Sequence, residues 1–404
     1  MSKIVIADYM EKFSCIGPKC EDDCCHGWTV FIDKETYDKY EKIKDVSITE
    51  KISKYLKKND SCNCEFNYGI MSMKENGICP MQEDTKLCEI HKKYGADALS
   101  TTCYVYPKML NCIGKNREMS GALSCPEIAR VALLNSEKIK FTFIDETKFN
   151  SKILKTAVKN IKSKEINSGW KSYIKEIRSA AIEIIQNRES KMIERVLYLG
   201  LFMKKLSEIA ESGKTDEVEN CIKQYIEEVR RVKEFKISKE ITQNSKVHFD
   251  ILKSICIARR EMGEDFSYIY DKVFEKFEFD KEADDELIKR YEKNYFKYAR
   301  RFFNENEYIM ENFLVNELFQ NVFPYGNNIF KSYVELVIKY GLFKYITTAF
   351  AIENKELNNE ILIESVYRYS RAFEHSQKFM DDMYERIKES GFDNLSYMTL
   401  IMKI

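Results

Sequence analysis

Apolar side chains recur at helical spacing through the last two thirds of the chain. Met192, Val196 and Leu199 are followed by Met203 and Leu206, with charged residues interspersed. A spacing of three and four residues places such side chains on one face of an α-helix. The same spacing predicts three further amphipathic helices, on the stripes Val218-Ile222-Tyr225-Val229, Leu252-Ile255-Arg259 and Ile329-Tyr333-Val337-Tyr340.

Helix breakers are scarce after the first third of the chain. No proline occurs between Pro126 and Pro324, which favours long uninterrupted helices. Glycines and one Pro-Tyr-Gly turn mark the places where helices should end. From about residue 136 onward we predict eight to ten helices, with breaks near Gly169, Gly213, Gly263, Pro324-Tyr325-Gly326 and Gly391.

The N-terminal third of the chain lacks this periodicity. One helix is predicted from Asp33 to Tyr55, with Asp33 as its N-cap. Around it lie short segments rich in Cys, Gly, Asn and Pro, at residues 13–28, 60–90 and 103–127. Such segments bury little apolar surface per residue, so something besides a hydrophobic core must order them. Metal ligation is the natural candidate, because binding energy at a thiolate site is also folding energy.

These patterns predict a mainly α protein with two domains. Residues 1–135 should form an irregular, cysteine-rich domain that binds a metal or a cluster, and residues 136–404 should form an all-helical domain. The composition fits a globular protein, since 44% of the 404 residues are apolar and 32% are charged.

Charge and hydropathy limit where in the cell the protein can be and which partners it can attract. The 65 basic and 65 acidic side chains cancel, so the chain has no overall attraction for nucleic acid or anionic lipid. No apolar stretch approaches the roughly 18 residues of a spanning helix. The apolar run between Lys3 and Asp8 is too short for the core of a signal peptide. We therefore expect a cytoplasmic protein without a transmembrane segment.

The distribution of the cysteines carries the strongest chemical signal. Eleven of the thirteen lie between Cys15 and Cys125, and only Cys221 and Cys256 lie beyond. In a reducing compartment such a concentration favours metal binding or redox chemistry over a disulfide framework. Thiolates suit zinc, copper(I) and iron-sulfur clusters, whereas magnesium and calcium prefer oxygen ligands.

Eight of these cysteines fall into two groups along the sequence. A structural zinc site usually pairs its cysteines two to four residues apart. The spacing of Cys20 and Cys24 fits that rule loosely, and the wide gaps of the second group do not. The two groups could interleave, and they supply enough thiols for two four-coordinate sites or for one cluster. The first group is Cys15, Cys20, Cys24 and Cys25, and the second is Cys79, Cys88, Cys103 and Cys125.

The other cysteines and the nearby histidines have simpler interpretations. Cys221 and Cys256 adjoin apolar stripes and are predicted to be small core residues. For the remaining three cysteines and two histidines we predict structural, incidental or solvent-facing roles. These residues are Cys62, Cys64, Cys112, His26 and His91.

The cysteine motifs resemble those of a known family, the flagellin lysine-N-methylases of bacteria. That family is related to a broader set of cysteine-rich domains that chelate zinc or iron. The resemblance covers about the first 130 residues, and the helical remainder offers no diagnostic motif. It rests on Phe13-Ser14-Cys15-Ile16-Gly17 with Cys20, Asp23-Cys24-Cys25, Gly27-Trp28, Cys79-Pro80, Leu87-Cys88, Leu99-Ser100, Thr102-Cys103, Tyr106-Pro107 and Leu123-Ser124-Cys125-Pro126-Glu127.

The resemblance implies an activity and a set of cofactors. The activity would be transfer of methyl groups from S-adenosylmethionine to lysine ε-amines of flagellin, the protein partner. The metal would be a 4Fe-4S iron-sulfur cluster, with zinc as the alternative. By motif, the implied ligands are Cys15, Cys20, Cys24, Cys25, Cys79, Cys88, Cys103 and Cys125.

The cofactor site of such an enzyme would be unusual. Most methyltransferases bind S-adenosylmethionine at a glycine-rich turn in a doubly wound sheet, but this chain contains no G-x-G sequence. A cluster iron with an open coordination position could chelate the methionine moiety instead. Direct displacement also requires a deprotonated lysine, and hence a base or a desolvated site. The candidate bases near the cysteine motifs are Glu65, Glu127, Tyr104 and Tyr106.

A second class of function remains open from the sequence alone. The chain could be a cysteine-rich zinc- or iron-binding protein that delivers metal or serves as an interaction module, without methyltransferase activity. The helices would then be a scaffold or a partner surface.

Overall fold

The computed structural model of the chain divides into two compact units. The first contains residues 1–112, 116–128 and 141–160, and the second contains residues 113–115, 129–140 and 161–404. The domain boundary expected after residue 135 stays a prediction. The structure describes residues 3–61, 64–231, 235, 244–261, 267–278, 284–374 and 376–402.

The described residues are mainly helical, with eight short strands. The strands are β1 (Lys3–Ala7), β2 (Val30–Ile32), β3 (Leu56–Lys58), β4 (Gly69–Met71), β5 (Lys108–Ile113), β6 (Asn116–Gly121), β7 (Phe141–Asp145) and β8 (Lys159–Ile161). The helices are α1 (Tyr9–Lys12), α2 (Lys34–Tyr40), α3 (Val46–Tyr55), α4 (Glu89–Tyr94), α5 (Thr101–Val105), α6 (Pro126–Leu133), α7 (Ser151–Lys155), α8 (Ser163–Ile166), α9 (Ile174–Ile185), α10 (Met192–Glu211), α11 (Glu217–Arg231), α12 (Ser245–Glu261), α13 (Ser267–Phe277), α14 (Asp285–Tyr298), α15 (Arg300–Glu305), α16 (Glu307–Gln320), α17 (Ile329–Asn354), α18 (Asn359–Phe373), α19 (Gln377–Glu389) and α20 (Leu395–Met402).

A five-stranded sheet in the order β7-β1-β6-β5-β8 organises the first unit. Strand β1 pairs with β6 in parallel and with β7 in antiparallel orientation. Alternate residues Ile4 and Ile6 of β1 are buried with Leu110, Met119 and Ile153, as expected for a strand with one face in a core. The prediction of an irregular region was therefore wrong in part. These strands have three to six residues and, except for the adjacent pair β5 and β6, pair across long stretches of chain, so sequence periodicity did not reveal them.

A second sheet, in the order β2-β4-β3, lies under the cysteine-rich loops. Both β2 and β3 pair antiparallel to β4. Val30, Ile32 and Met71 form part of its buried core, which also contains Cys79. Cys25, Cys88 and Cys103 are partly buried and pack against the same core. This small sheet is therefore the surface on which several of the cysteines sit.

The predicted helix from Asp33 to Tyr55 is two helices. Asp33 caps α2, as predicted, because its side chain accepts a hydrogen bond from the backbone N–H of Thr36 at 3.0 Å. The chain then turns, and the side chain of Asp45 caps α3 by accepting from the N–H of Ile48 at 3.2 Å. Asp45 is a second N-cap residue inside the predicted range, and it marks the position in the sequence where a second helix begins.

The second unit is built around α17, the longest of the described helices. Buried side chains surround most of α17, as expected for a helix in the centre of a helical domain. It packs against helices on every side, including α10, α12, α13, α14, α16, α18, α19 and α20. The buried apolar stripes of α10 and α17 confirm the predicted helix faces.

The helix count exceeds the prediction, whereas most predicted breaks are correct. Fourteen described helices, α7 to α20, follow residue 136. Several are only four to six residues long, too short for a periodic pattern to show. Helices end near Gly213 and Gly391, both with positive φ, and the turn containing Pro324 separates α16 from α17. Gly169 begins a short 3-10 segment, and Gly263 lies outside the described residues.

The aromatic residues of α14 differ in their burial. Tyr291 and Tyr295 are buried, but Phe296 on the same helix is 44% exposed. Among the described residues, none of the helices combines the length and hydropathy that crossing a membrane requires.

A buried cluster of charge links α16, α17 and α18. The Nζ of Lys339 lies 2.6 Å from Oε2 of Glu317. Near them is the carboxyl of Glu374, whose Oε1 is buried and whose other oxygen accepts a hydrogen bond from Ser370. Burial and the nearby charge of Glu317 raise the pKa of Glu374 to about 8. This carboxyl is therefore largely protonated in the folded protein at neutral pH.

Replacing Glu374 by Gln is expected to stabilise the protein increasingly as the pH rises. A carboxyl with a raised folded pKa adds stability below its unfolded pKa, and that contribution is lost as the pH rises through about 8. Gln cannot ionise, so at pH 8 the free energy of unfolding of Glu374→Gln should exceed that of the wild type by about 1–3 kcal/mol. Urea denaturation at pH 5 and pH 8 measures the difference.

The exposed Glu227 on α11 supplies the matched control. Glu227→Gln should change the free energy of unfolding by less than about 0.5 kcal/mol at both pH values. An effect of Glu374→Gln that is the same at pH 5 and pH 8 would contradict the raised pKa.

Candidate functional site

Short turns with backbone hydrogen bonds position the first four cysteines. Cys15 and Cys20 flank the 3-10 turn Gly17–Lys19, and the N–H of Cys20 donates to the carbonyl of Gly17 at 3.0 Å. Cys24 and Cys25 sit in the next turn, where the N–H of Cys25 donates to Oδ1 of Asp23 at 3.0 Å. Such a turn is what two adjacent cysteines need if both are to face one site.

Backbone hydrogen bonds join this turn to the segment that carries Cys79. The N–H of Cys79 donates to the carbonyl of Cys25 at 2.7 Å, and the N–H of Gly27 donates to the carbonyl of Gly77 at 3.0 Å. The indole Nε1 of Trp28 also donates to the carbonyl of Cys24 at 2.7 Å. Two segments some fifty residues apart in sequence are thereby held together.

Helix starts position the remaining cysteines of the second group. Cys88 is the N-cap residue of α4, and Cys103 lies in the first turn of α5, whose cap Ser100 accepts from the N–H of Cys103 at 3.3 Å. Cys125 directly precedes α6. Helix α6 packs closely on the end of β6, because a Cβ at Gly121 would lie 2.5 Å from the side chain of Ile128.

Four of the sulfur atoms accept backbone hydrogen bonds from residues two or three positions further on. Such bonds favour the thiolate over the thiol, as at other cysteines near helix N-termini. Thiolates are the form that binds metal. The N–H groups of Asp22, Met81, Ile90 with His91, and Glu127 with Ile128 donate to the sulfurs of Cys20, Cys79, Cys88 and Cys125, respectively.

The eight thiols form two groups in space, each drawn from both groups in the sequence. Within each group the thiols lie close enough that their charges raise one another's pKa. The structure thus has the interleaved arrangement that the spacing left open. The five-thiol group is Cys24, Cys25, Cys79, Cys88 and Cys103, and the three-thiol group is Cys15, Cys20 and Cys125.

Burial is the largest cause of the raised pKa values of most of these thiols. It raises the pKa of Cys79 to about 11 and the pKa values of Cys103 and Cys125 to about 12. The pKa of Cys25 is raised first by a hydrogen bond with Cys24 and then by burial. Closely packed thiols in a desolvated site would repel one another as thiolates unless a cation neutralised them.

The side-chain geometry does not match a single ion. Across the described parts of the chain, no three His, Cys, Asp or Glu side chains converge in a way that could hold one metal ion. A tetrahedral zinc site would require sulfurs about 2.3 Å from a common centre.

Lys108 is the cation beside the three-thiol group. Its Nζ lies 5.8 Å from the centre of the Phe13 ring. Burial lowers the pKa of Lys108, while the nearby Cys15 and Cys125 raise it. A partly buried ammonium at this place offsets negative charge on the thiols.

The other predicted residues are placed as follows. Cys221 and Cys256 are buried in helices, which confirms that they are core residues, and His26 and His91 are exposed. Cys64 is in a disulfide, Cys112 carries a free thiol on β5, and Cys62 lies outside the described residues. Trp28 is partly buried against the core of the small sheet, with its ring 5.6 Å from that of Tyr106.

Two of the candidate bases have specific partners. The hydroxyl of Tyr106 lies 3.2 Å from Oγ of Ser124, next to Cys125. The Tyr104 ring lies 5.7 Å from Nζ of Lys152. These contacts position both tyrosines near cysteines of the second sequence group without selecting a base.

Comparison with known proteins now places the chain in a family. The model of the FliB lysine N-methylase C-terminal domain matches residues 178–401, more than half of the chain. The chain therefore belongs to the FliB lysine N-methylase family, which confirms the predicted relationship to flagellin lysine-N-methylases. No solved structure matches it.

Individual relatives match over a shorter length. The chain is 34% identical to the Lysine-N-methylase of Salmonella typhimurium (strain LT2) over 134 residues, 32% of each chain. It is also 34% identical to the Flagellar biosynthetic protein FliU of Salmonella muenchen over 134 residues, 32% of this chain and 76% of FliU. The matched part thus spans about a third of the Salmonella typhimurium relative.

The family signal in the helical unit could not be recognised by motif. The described residues within the matched range 178–401 lie mainly in amphipathic and buried helices, whose stripes are typical of helical domains in general. The cysteine motifs, in contrast, combine rare residue types in a fixed order, so they indicated the family without a structure.

Removing the carboxylate of Asp33 is expected to destabilise the first unit. Its Oδ2 accepts from the N–H of Thr101 at 2.8 Å, the residue that begins the Cys103 helix, while Oδ1 caps α2. Burial alone would raise the pKa of Asp33, but the N–H groups of Thr101 and Thr36 lower it overall. Asp33→Ala should lower the free energy of unfolding by about 2–4 kcal/mol, since it removes a cap and leaves buried donors unpaired.

Urea denaturation of the full chain at pH 7 and pH 3 tests this expectation. The contribution of a carboxylate with a lowered pKa is present above its unfolded pKa and is lost as the pH falls through the folded one. Asp38→Ala, which removes an exposed carboxylate 2.7 Å from Lys34, should cost less than about 1 kcal/mol. Equal losses in the two variants would contradict the role given to Asp33.

Proposed function

We propose that this protein is a cytoplasmic methyltransferase that transfers methyl groups from S-adenosylmethionine to lysine ε-amines of flagellin. We further propose that the reaction depends on an iron-sulfur cluster held by the cysteine-rich first unit. The observation that carries the proposal is the combination of the family match over residues 178–401 with two clustered groups of thiols in the same chain.

The names of the relatives support the reaction and the substrate. The relative from Salmonella typhimurium is called a Lysine-N-methylase, and the relative from Salmonella muenchen is called a Flagellar biosynthetic protein. Lysine methylation in a flagellar context suggests flagellin as the substrate. Flagellin would be recognised before assembly, by local surface features, because the chain has no net charge for long-range attraction.

The thiols support a cluster in preference to a single ion. Iron-sulfur clusters bind cysteine thiolates at several separate irons, so their ligands need not converge on one centre. The five-thiol group offers the four cysteines of a complete ligand set and one more, and the three-thiol group offers three. The backbone N–H groups at Cys20, Cys79, Cys88 and Cys125 would stabilise thiolates in either group.

A cluster would also provide a way to bind S-adenosylmethionine without the usual nucleotide-binding motif. Among the described strands, the largest sheet is mixed, with β7 antiparallel to β1, and the sequence has no glycine-rich G-x-G turn. A cluster with three protein ligands would supply an open iron position for the amino and carboxylate groups of S-adenosylmethionine. In the three-thiol group, the residues of this chain would hold the thiolates and place the ammonium of Lys108 beside them.

Coexpression with flagellin is the direct test of methyl transfer. Intact-mass measurement should show flagellin heavier by whole multiples of a methylene group, and peptide mapping should place the added mass on lysines. Cells that carry flagellin alone provide the control. Unchanged flagellin mass in the presence of cluster-loaded protein would contradict the substrate assignment.

Serine substitutions test the assignment of the ligands. Cys88→Ser tests the five-thiol group and Cys125→Ser tests the three-thiol group. Visible absorbance of anaerobically purified protein should be lost in the variant whose group holds the cluster, because a hydroxyl ligates iron far more weakly than a thiolate. Cys112→Ser is the matched control in the same part of the chain, since Cys112 has a free thiol outside both groups. Equal absorbance in all three variants would contradict the proposed ligand groups.

A further inference from the structure

A groove in the second unit combines aromatic rings with carboxylates. It has a volume of about 350 Å³ and lies where the second half of α10 meets the start of α17, the middle of α19 and the turn before α20. This volume is at the low end for small-molecule sites, so the groove suits a side chain better than a whole nucleotide. The residues that define its chemistry are Glu208, Glu211, Asp393, Lys204, Phe330 and Tyr384.

The groove has an excess of negative charge. Three carboxylates line it against a single lysine, Lys204. Glu208 makes only a long contact, 3.9 Å, with the exposed Lys205, and Glu211 accepts a hydrogen bond from Ser207 at 3.0 Å. Within the described part of the chain, Asp393 has neither a hydrogen bond nor an ion pair. The protein itself therefore neutralises the carboxylates only in part.

Tyr384, an aromatic residue of the groove, is buried and already contacts one lysine of the chain. Tyr384 is 5% exposed, and burial followed by the charge of Asp393 raises the pKa of its hydroxyl to about 12. The Nζ of Lys331 lies 4.9 Å from the centre of the Tyr384 ring and 2.7 Å from the carboxylate of Asp381. This internal contact shows that the ring can hold an ammonium group next to a carboxylate.

We propose that the groove binds a lysine side chain of the protein that the enzyme methylates. A lysine has an apolar stem, which can lie along Phe330 and Tyr384, and an ammonium, which Glu208 and Asp393 would attract. An anionic ligand would meet the excess negative charge. The inference rests on the proposed function, because that function supplies a lysine-bearing substrate, and it adds a place on this chain for the substrate to dock.

Peptide binding tests the groove without any need for catalysis. The probe is a short fluorescein-labelled peptide with one lysine, compared with the same peptide carrying norleucine, which keeps the stem and lacks the ammonium. Fluorescence anisotropy with the full chain, without S-adenosylmethionine, measures both affinities. The lysine peptide should bind more tightly, by about tenfold or more, because only its ammonium interacts with the carboxylates.

Variants of the full chain show whether this groove is the binding site. Glu208→Gln combined with Asp393→Asn should weaken binding of the lysine peptide about tenfold, and Lys204→Gln should strengthen it about threefold, since each changes the charge at the groove. Glu219→Gln removes an exposed carboxylate of α11 and should leave the affinity unchanged. Circular dichroism confirms that each variant is folded.

Several results would overturn the inference. Equal affinity for the two peptides would do so, as would an unchanged affinity in the double variant. Dimers that dissociate in the double variant, with no peptide binding, would show that a second copy of the chain occupies the groove.

A comparison with flagellin turnover separates the failure of this inference from the failure of the proposed function. If flagellin is methylated and the double variant changes neither peptide affinity nor the KM for flagellin, the groove assignment alone fails. If the double variant raises that KM while kcat stays the same, docking of the substrate lysine is supported. If the lysine peptide binds but flagellin mass never changes, the groove is a lysine site and the link to methylation is overturned.

Discussion

The cysteine-rich region depends on the backbone hydrogen bonds that join the Cys24–Cys25 turn to the segment around Cys79. The bond from the N–H of Cys79 to the carbonyl of Cys25 brings together thiols that are far apart in the sequence. The small sheet below them supplies an apolar floor, against which Cys25, Cys88 and Cys103 pack. Without a neutralising metal this arrangement is electrostatically costly whenever the thiols ionise. The local fold therefore brings the thiols together, and the proposed cofactor would neutralise their charge.

The sequence predicted the helical unit and the set of clustered cysteines, and it missed the sheets. Helical stripes such as that of α10 repeat over many turns and can be recognised locally. Strand β1 is five residues long and pairs in parallel with β6, more than a hundred residues later, so no local pattern identifies its partner. The grouping of the thiols likewise follows from long-range backbone contacts, which is why the spacing left several arrangements open.

The second unit has features that a simple scaffold does not need. Its core holds the ion pair of Glu317 with Lys339 and the neutral, protonated carboxyl of Glu374, at positions where apolar residues would cost less free energy to bury. It also carries the acidic groove lined by Tyr384 and Asp393. The family match covers residues 178–401, which make up most of this unit, so these helices are part of the proposed enzyme.

The central claim is that the clustered thiols hold an iron-sulfur cluster on which methyl transfer depends. Quantification of iron, acid-labile sulfide and zinc in anaerobically purified full-length protein tests it most directly. We predict equal amounts of iron and acid-labile sulfide, with a whole number of each per protein chain, because a cluster contains both elements. Stoichiometric zinc without sulfide would contradict the claim and would favour a zinc-binding protein.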